Sequence, residues 1–127
     1  LNDLNGLKVR MPGLGGEVLR RLGASPVTIP GGEIFAGLQS GLIDGAEWVG
    51  PWNDLAFGFY REAKYYYWPG FQEPGAQCAA GVNLDVWNGM TPQEQAIIAS
   101  ACHRANYLCL AEFTHYNGVA LEQLVKE

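Results

Sequence analysis

Leu7-Lys8-Val9-Arg10-Met11-Pro12-Gly13-Leu14-Gly15-Gly16 opens the chain's regular structure. Its first five residues alternate apolar and polar, the period of a strand, and Pro12 with the glycines behind it ends that strand. Outward from there the pattern changes to a helical one over 17–22, with Val18, Leu19 and Leu22 on one face and Gly23 as the stop. Prolines fence a second strand at 26–30. Gly31-Gly32 open a second helix, with Ile34, Leu38 and Leu42 one turn apart and Glu33 in the first turn, where the helix dipole favours an anion. Asp44-Gly45 then turns into a third strand at 46–49. Strand, helix, strand, helix, strand in so short a space is the rhythm of an α/β layer, so the expected sheet is small, mixed but mainly parallel, and flanked by helices.

The second half is less regular. A helix is expected over 55–64, an aromatic strand at Tyr65-Tyr66-Tyr67-Trp68, another strand at 77–82 and a helical turn at 83–87. Thr91-Pro92-Gln93-Glu94 is a clear helix start: a threonine cap, proline at the first helical position, and the glutamate of a capping box. The helix it opens is expected to run past residue 115, with an interruption at Asn117-Gly118.

Composition narrows the function. The chain has 127 residues, 48% of them apolar and 17% charged, with a net charge of −5. That suits one globular domain with a modest core. No basic run could neutralise a phosphate backbone, so nucleic acid is excluded as a partner. No stretch approaches the roughly 20 apolar residues of a membrane helix. The polar opening carries no signal peptide, and the ends read as those of a piece of a longer chain. Cys102 and Cys109 lie seven apart on one helix, about 10.5 Å along its axis and too far to bridge, so the cysteines are expected to be small buried hydrophobes.

Catalytic signatures are weak. Gly13-Leu14-Gly15-Gly16 fails as a dinucleotide fingerprint at Val18, and the lysine of a phosphate-binding loop is absent. Ser25, Ser40 and Ser100 lack the context of an activated nucleophile. His103 and His115 are twelve apart and do not make a helical metal pair; both are expected to be surface or capping residues. The aromatics from Phe57 to Trp68 are expected to pack the core in preference to stacking on a sugar.

Two isolated charges stand out. Arg10 lies in the first strand, between Val9 and Met11 and beside the glycine turn, and Glu47 lies at the end of the third between Ala46 and Trp48. Ligands gather beyond the carboxyl ends of parallel strands, and an arginine there can grip a carboxylate with two parallel bonds. The same two residues could equally pair with each other. A third reading makes Glu47 or Glu73 the general base of a carboxylate-processing enzyme, with the substrate held by Arg10.

Leu7-Lys8-Val9-Arg10-Met11-Pro12, Leu22-Gly23-Ala24-Ser25-Pro26-Val27 and Glu33-Ile34-Phe35-Ala36-Gly37-Leu38-Gln39-Ser40-Gly41-Leu42-Ile43-Asp44-Gly45, in that order and spacing, resemble the DctP family of solute-binding proteins of TRAP transporters. Ala46-Glu47-Trp48-Val49-Gly50-Pro51, Tyr65-Tyr66-Tyr67-Trp68-Pro69-Gly70 and Glu73-Pro74-Gly75 resemble the branch that binds 2-oxo acids or lactate with a metal ion. The resemblance covers essentially the whole chain.

It implies a non-catalytic protein with a two-lobed periplasmic-binding fold, of which residues 1–127 form a single α/β lobe; the first lobe, the opposite wall and a further cation ligand would come from elsewhere. It implies that Arg10 forms a bidentate pair with a small monocarboxylate such as pyruvate or lactate. Glu47, the Trp48 carbonyl and Glu73 would hold a bridging Na⁺ or Ca²⁺, which wants oxygen ligands and lets several carboxylates share one site. An asparagine usually stands at the Trp48 position in branches that bind larger acids, so the indole implies a small one. The implied location is the periplasm and the implied partners are the membrane subunits of the transporter. A homodimer would cover surface that the missing lobe leaves bare.

Overall fold

The computed structural model describes residues 2–72, 75 and 78–126. Three short strands, β1 (Lys8–Arg10), β2 (Ser25–Val27) and β3 (Gly45–Ala46), form a sheet of order β2-β1-β3. Both pairings are parallel, with Arg10 opposite Val27 on one side and Ala46 on the other. The expected mixture of directions is therefore absent among the described residues. Pro26 is tolerated because β2 is an edge strand, where a missing N–H breaks no central ladder. Beyond the strands the ladder continues: Met11 N–H donates to Val27 O (3.2 Å) and Glu47 N–H to Arg10 O (2.8 Å).

Between the strands lie α1 (Gly13–Arg21) and, after a 3₁₀ turn at Gly31–Glu33, α2 (Ile34–Gln39). A Cβ on Gly16 would collide with the Met11 carbonyl, so the glycine lets α1 lie against the strand. Two apolar clusters result. Met11, Leu19 and Ala24 pack under α1; Ile34, Ile43 and Phe59 pack under α2, with Val27, Ile29, Phe35, Leu38 and Trp48 around them. Leu42, expected on the buried face of α2, is exposed because the helix stops at Gln39.

The second half departs further from the sequence expectation. Pro51 at the first helical position starts α3 (Pro51–Phe57), and Gly58, at φ 73°, ends it in the left-handed conformation that glycine adopts most easily. A 3₁₀ turn follows at Phe59–Arg61, so the helix expected over 55–64 is displaced towards the N-terminus. The aromatic quartet is neither a strand nor core: Tyr65, Tyr66, Tyr67 and Trp68 are all exposed. Residues 78–82 carry no strand, and Gln77 lies outside the described residues. The helical turn is α4 (Leu84–Gly89), capped by the Asn83 side chain.

The last helix, α5 (Pro92–Leu124), has 33 residues and begins as expected. Thr91 N–H donates to Glu94 Oε2 (2.7 Å), and Glu94 N–H donates to Thr91 Oγ1 (3.3 Å). It runs through Asn117-Gly118 unbroken. The Asn117 side chain, which could compete for its own backbone, instead accepts a hydrogen bond from Trp52 N–H at 3.0 Å. Trp52 stacks on Tyr116 (centroids 4.7 Å apart) and meets Phe113 edge-on (5.2 Å), so the C-terminal third of α5 is seated on α3. Ahead of that seat Ile97, Leu108 and Leu110 are exposed, and so are all three cysteines, contrary to the expectation that they are buried. Both histidines are exposed as expected. No described helix is long and apolar enough to cross a membrane.

Candidate functional site

The chain leaves the central strand β1 for one edge of the sheet and then crosses to the other, so the carboxyl end of β1 is a topological switch point, the place where ligands of open α/β sheets gather. Arg10 is the last residue of β1, and its side chain is 11% exposed. Its Nε donates to Ile29 O (3.2 Å) and its Nη1 to Glu47 O (2.9 Å). The guanidinium thus braces the segments that follow both neighbouring strands. Two of the five N–H donors of an arginine are committed to these carbonyls, which leaves donors on Nη1 and Nη2, the pair that grips a carboxylate end-on.

Glu47 is held from both sides: its N–H bonds to Arg10 O and its carbonyl to Arg10 Nη1. Its carboxylate Oε2 lies 3.6 Å from Arg10 Nη1, and the side chain is 25% exposed. That separation is longer than the roughly 2.7–2.9 Å of a charge-assisted bond. Of the two readings left open, pairing is therefore realised, but mainly through the backbone. The Trp48 ring lies beside the guanidinium, 5.1 Å from centroid to Arg10 Cζ, and against Phe57 at 5.4 Å. Its Nε1 is buried with no acceptor among the described residues.

The structure thus brings Arg10, Glu47 and Trp48 together; Glu73 lies outside the described residues. In kind, the Glu47 carboxylate and Trp48 carbonyl suit a hard cation. In number they fall short of the six to eight oxygens Ca²⁺ takes. No cluster of three or more acidic, histidine or cysteine side chains fit for a metal occurs among the described residues.

Neighbouring groups hold the segment that follows Trp48. The Asp54 carboxylate accepts from Val49 N–H and Gly50 N–H (both 3.3 Å) and from Tyr66 Oη–H (2.8 Å). Burial raises the Asp54 pKa above its usual 3.8, against the opposing effect of these bonds. Burial and the Asp54 carboxylate together push the Tyr66 hydroxyl up. Sequence reasoning missed the Ile29 carbonyl, Asp54 and Asn117. A backbone acceptor leaves no mark in sequence, but Asp54 three residues after Pro51 marks a first turn. Two open depressions, one lined by Gly118, Leu121 and Val125 and one by Met90, Ile97 and Ile98, lie along α5 and away from Arg10.

A mostly buried arginine therefore ends the central strand of a small parallel sheet, with a carboxylate and an indole beside it. The chain belongs to the DctP family, bacterial extracellular solute-binding protein family 7, whose model matches residues 1–127. That family is one of binding proteins and not of enzymes. The chain is 45% identical over 125 residues to a monocarboxylate 2-oxoacid-binding periplasmic protein of Nostoc sp., a match covering 98% of the chain and 34% of that protein. It also resembles two crystal structures of TRAP periplasmic solute-binding proteins. One, from Colwellia psychrerythraea with bound calcium and pyruvate, is 41% identical, with a TM-score of 0.88 over 99% of the chain and 38% of that protein. The other, from Pseudoalteromonas atlantica with bound sodium and pyruvate, is 43% identical, with a TM-score of 0.83 and the same coverage. The chain therefore spans about a third of the length of these relatives.

Proposed function

We propose that this chain is the carboxylate-gripping lobe of a periplasmic solute-binding protein that delivers a small 2-oxo or 2-hydroxy monocarboxylate to the membrane components of a TRAP transporter. The observation that carries this reading is Arg10: braced by two carbonyls, mostly buried, and with an end-on pair of donors left at the switch point. Fixing a guanidinium before the ligand arrives removes much of the entropy cost of binding. Glu47 and the Trp48 carbonyl, with Glu73, are the oxygens this chain would offer a Na⁺ or Ca²⁺. When bound, such an ion offsets the charge of the protein and ligand carboxylates that meet there. Trp48 supplies an apolar wall that favours a short carbon chain. The relatives with pyruvate and calcium or sodium support this reading.

The test is calorimetric titration of pyruvate, 2-oxobutyrate and lactate, with and without Na⁺ or Ca²⁺. It uses this chain and a chimera in which the chain replaces the matching 125 residues of the Nostoc relative. Cation-dependent binding in the chimera that disappears in Arg10→Ala supports the proposal. Binding that ignores Arg10 refutes it.

A further inference from the structure

The far edge of the Trp48 indole rests on Gly31, the first residue of the 3₁₀ turn after β2. A Cβ built on Gly31 would lie 2.7 Å from Cζ3 and 2.9 Å from Cζ2, and would overlap Cη2 outright. Carbon atoms pack best at about 3.5–4.0 Å, so any side chain here forces the ring to withdraw by about 1 Å or more. The Gly31 backbone is not in the left-handed region, so an alanine there conflicts with the indole and not with its own φ. Gly32 beside it has nothing within 4 Å of its would-be Cβ. The rest of the ring is confined by Phe57 and by the Arg10 guanidinium.

We propose that Gly31 is a positioning residue for ligand selectivity: it seats the Trp48 indole, and the seat fixes how long a carbon chain the acid beside Arg10 can carry. This rests on the reading that Arg10 and Trp48 face the bound acid. One methylene more or less in an apolar pocket changes affinity about 10–200-fold, so a wall displaced by about an ångström re-orders a series of acids.

The experiment titrates pyruvate, 2-oxobutyrate and 2-oxovalerate into the Nostoc chimera and its Gly31→Ala, Gly32→Ala, Trp48→Phe, Gly31→Ala/Trp48→Phe and Arg10→Ala variants. Gly31→Ala is expected to change the pyruvate-to-2-oxovalerate affinity ratio by about tenfold or more. Gly32→Ala is expected to leave the ratio unchanged. In the Trp48→Phe background, where the colliding ring edge is gone, Gly31→Ala is expected to have no further effect. An unchanged ratio in Gly31→Ala, or an equal change in the Trp48→Phe background, overturns the proposal. Should Gly31→Ala unfold, rescue of its melting temperature by Trp48→Phe supports the seat, and no rescue overturns it. Arg10→Ala separates the two readings: if it binds like the parent, the acid site itself is wrong; if it alone loses binding, only the seat is wrong.

Discussion

Arg10→Ala should damage the fold as well as the site. The guanidinium donates to two carbonyls, Ile29 O and Glu47 O, from a side chain that is 11% exposed. A hydrogen bond from a charged donor contributes about 1.5–3 kcal/mol, and removing the donor leaves both acceptors with only partial access to water. Solvent access puts the pair of bonds near the lower end, about 3 kcal/mol. The ion pair with Glu47, at 3.6 Å and with Glu47 25% exposed, adds at most about 1 kcal/mol. The total of about 3–4 kcal/mol corresponds to a fall in melting temperature of about 10–15 °C for a chain of this size. Thermal melts followed by circular dichroism measure it directly. Arg10→Lys, which keeps the charge but reaches one carbonyl, should fall about half as far. An Arg10→Ala variant melting within about 3 °C of the parent would refute the brace. The binding titration must accordingly be run well below the variant's transition.

Asp54→Asn should melt at or above the parent temperature at neutral pH. Burial raises the Asp54 pKa, so in the folded chain the proton binds more tightly and the ionised form costs stability as pH rises through that window; melts from pH 3.5 to 7 should show the two proteins converging on the acid side. Thr91→Ala removes the cap of α5 and should cost about 1 kcal/mol, visible as faster amide exchange in the first turn. Bonds to Thr91 lower the Glu94 pKa, so the capping contribution is present above the unfolded pKa and is lost as pH falls through the folded value; exchange at that turn should quicken on acidification. Gly58→Ala should cost about 1 kcal/mol in a denaturant titration. The added Cβ would meet nothing closer than 3.9 Å, so the penalty comes from φ 73° alone.

The order of elements in the first fifty residues was legible because prolines and glycines punctuate it, but the bounds were not: β2 and β3 end at Val27 and Ala46, short of the expected 26–30 and 46–49, and α2 stops before Leu42. The capping box at Thr91 was legible because it is a local device, complete within four residues. Tyr65 to Trp68 misled because a run of aromatics favours a strand only where it can pack, whereas a strand also needs a neighbour's ladder, and none is present at these residues. Pro51 marks the start of α3 at the first helical position, whereas the apolar run from Leu55 does not mark its bounds. Asn117-Gly118 looked like a break because the hydrogen bond from Trp52 that occupies Asn117 spans 65 residues. At the site, Arg10 was legible as a charge out of place in its strand, and Glu47 as a carboxylate between apolar neighbours just past the end of β3. That Arg10 holds Glu47 chiefly by its carbonyl depends on register and could not be read from side chains. Gly31 was legible only as the opening of a helix.

The joint between Trp52 and Tyr116 also has a mechanical meaning. Helix α5 is about 50 Å long at 1.5 Å per residue, and its first turn lies about 30 Å from Phe113. A tilt of about 5° where the two aromatic rings meet would sweep the Thr91 end through about 3 Å. A small difference in ring stacking would therefore correspond to a displacement the size of an atom at the far end. The stack of Trp52 on Tyr116 is thus the place where the direction of α5 relative to α3 is set.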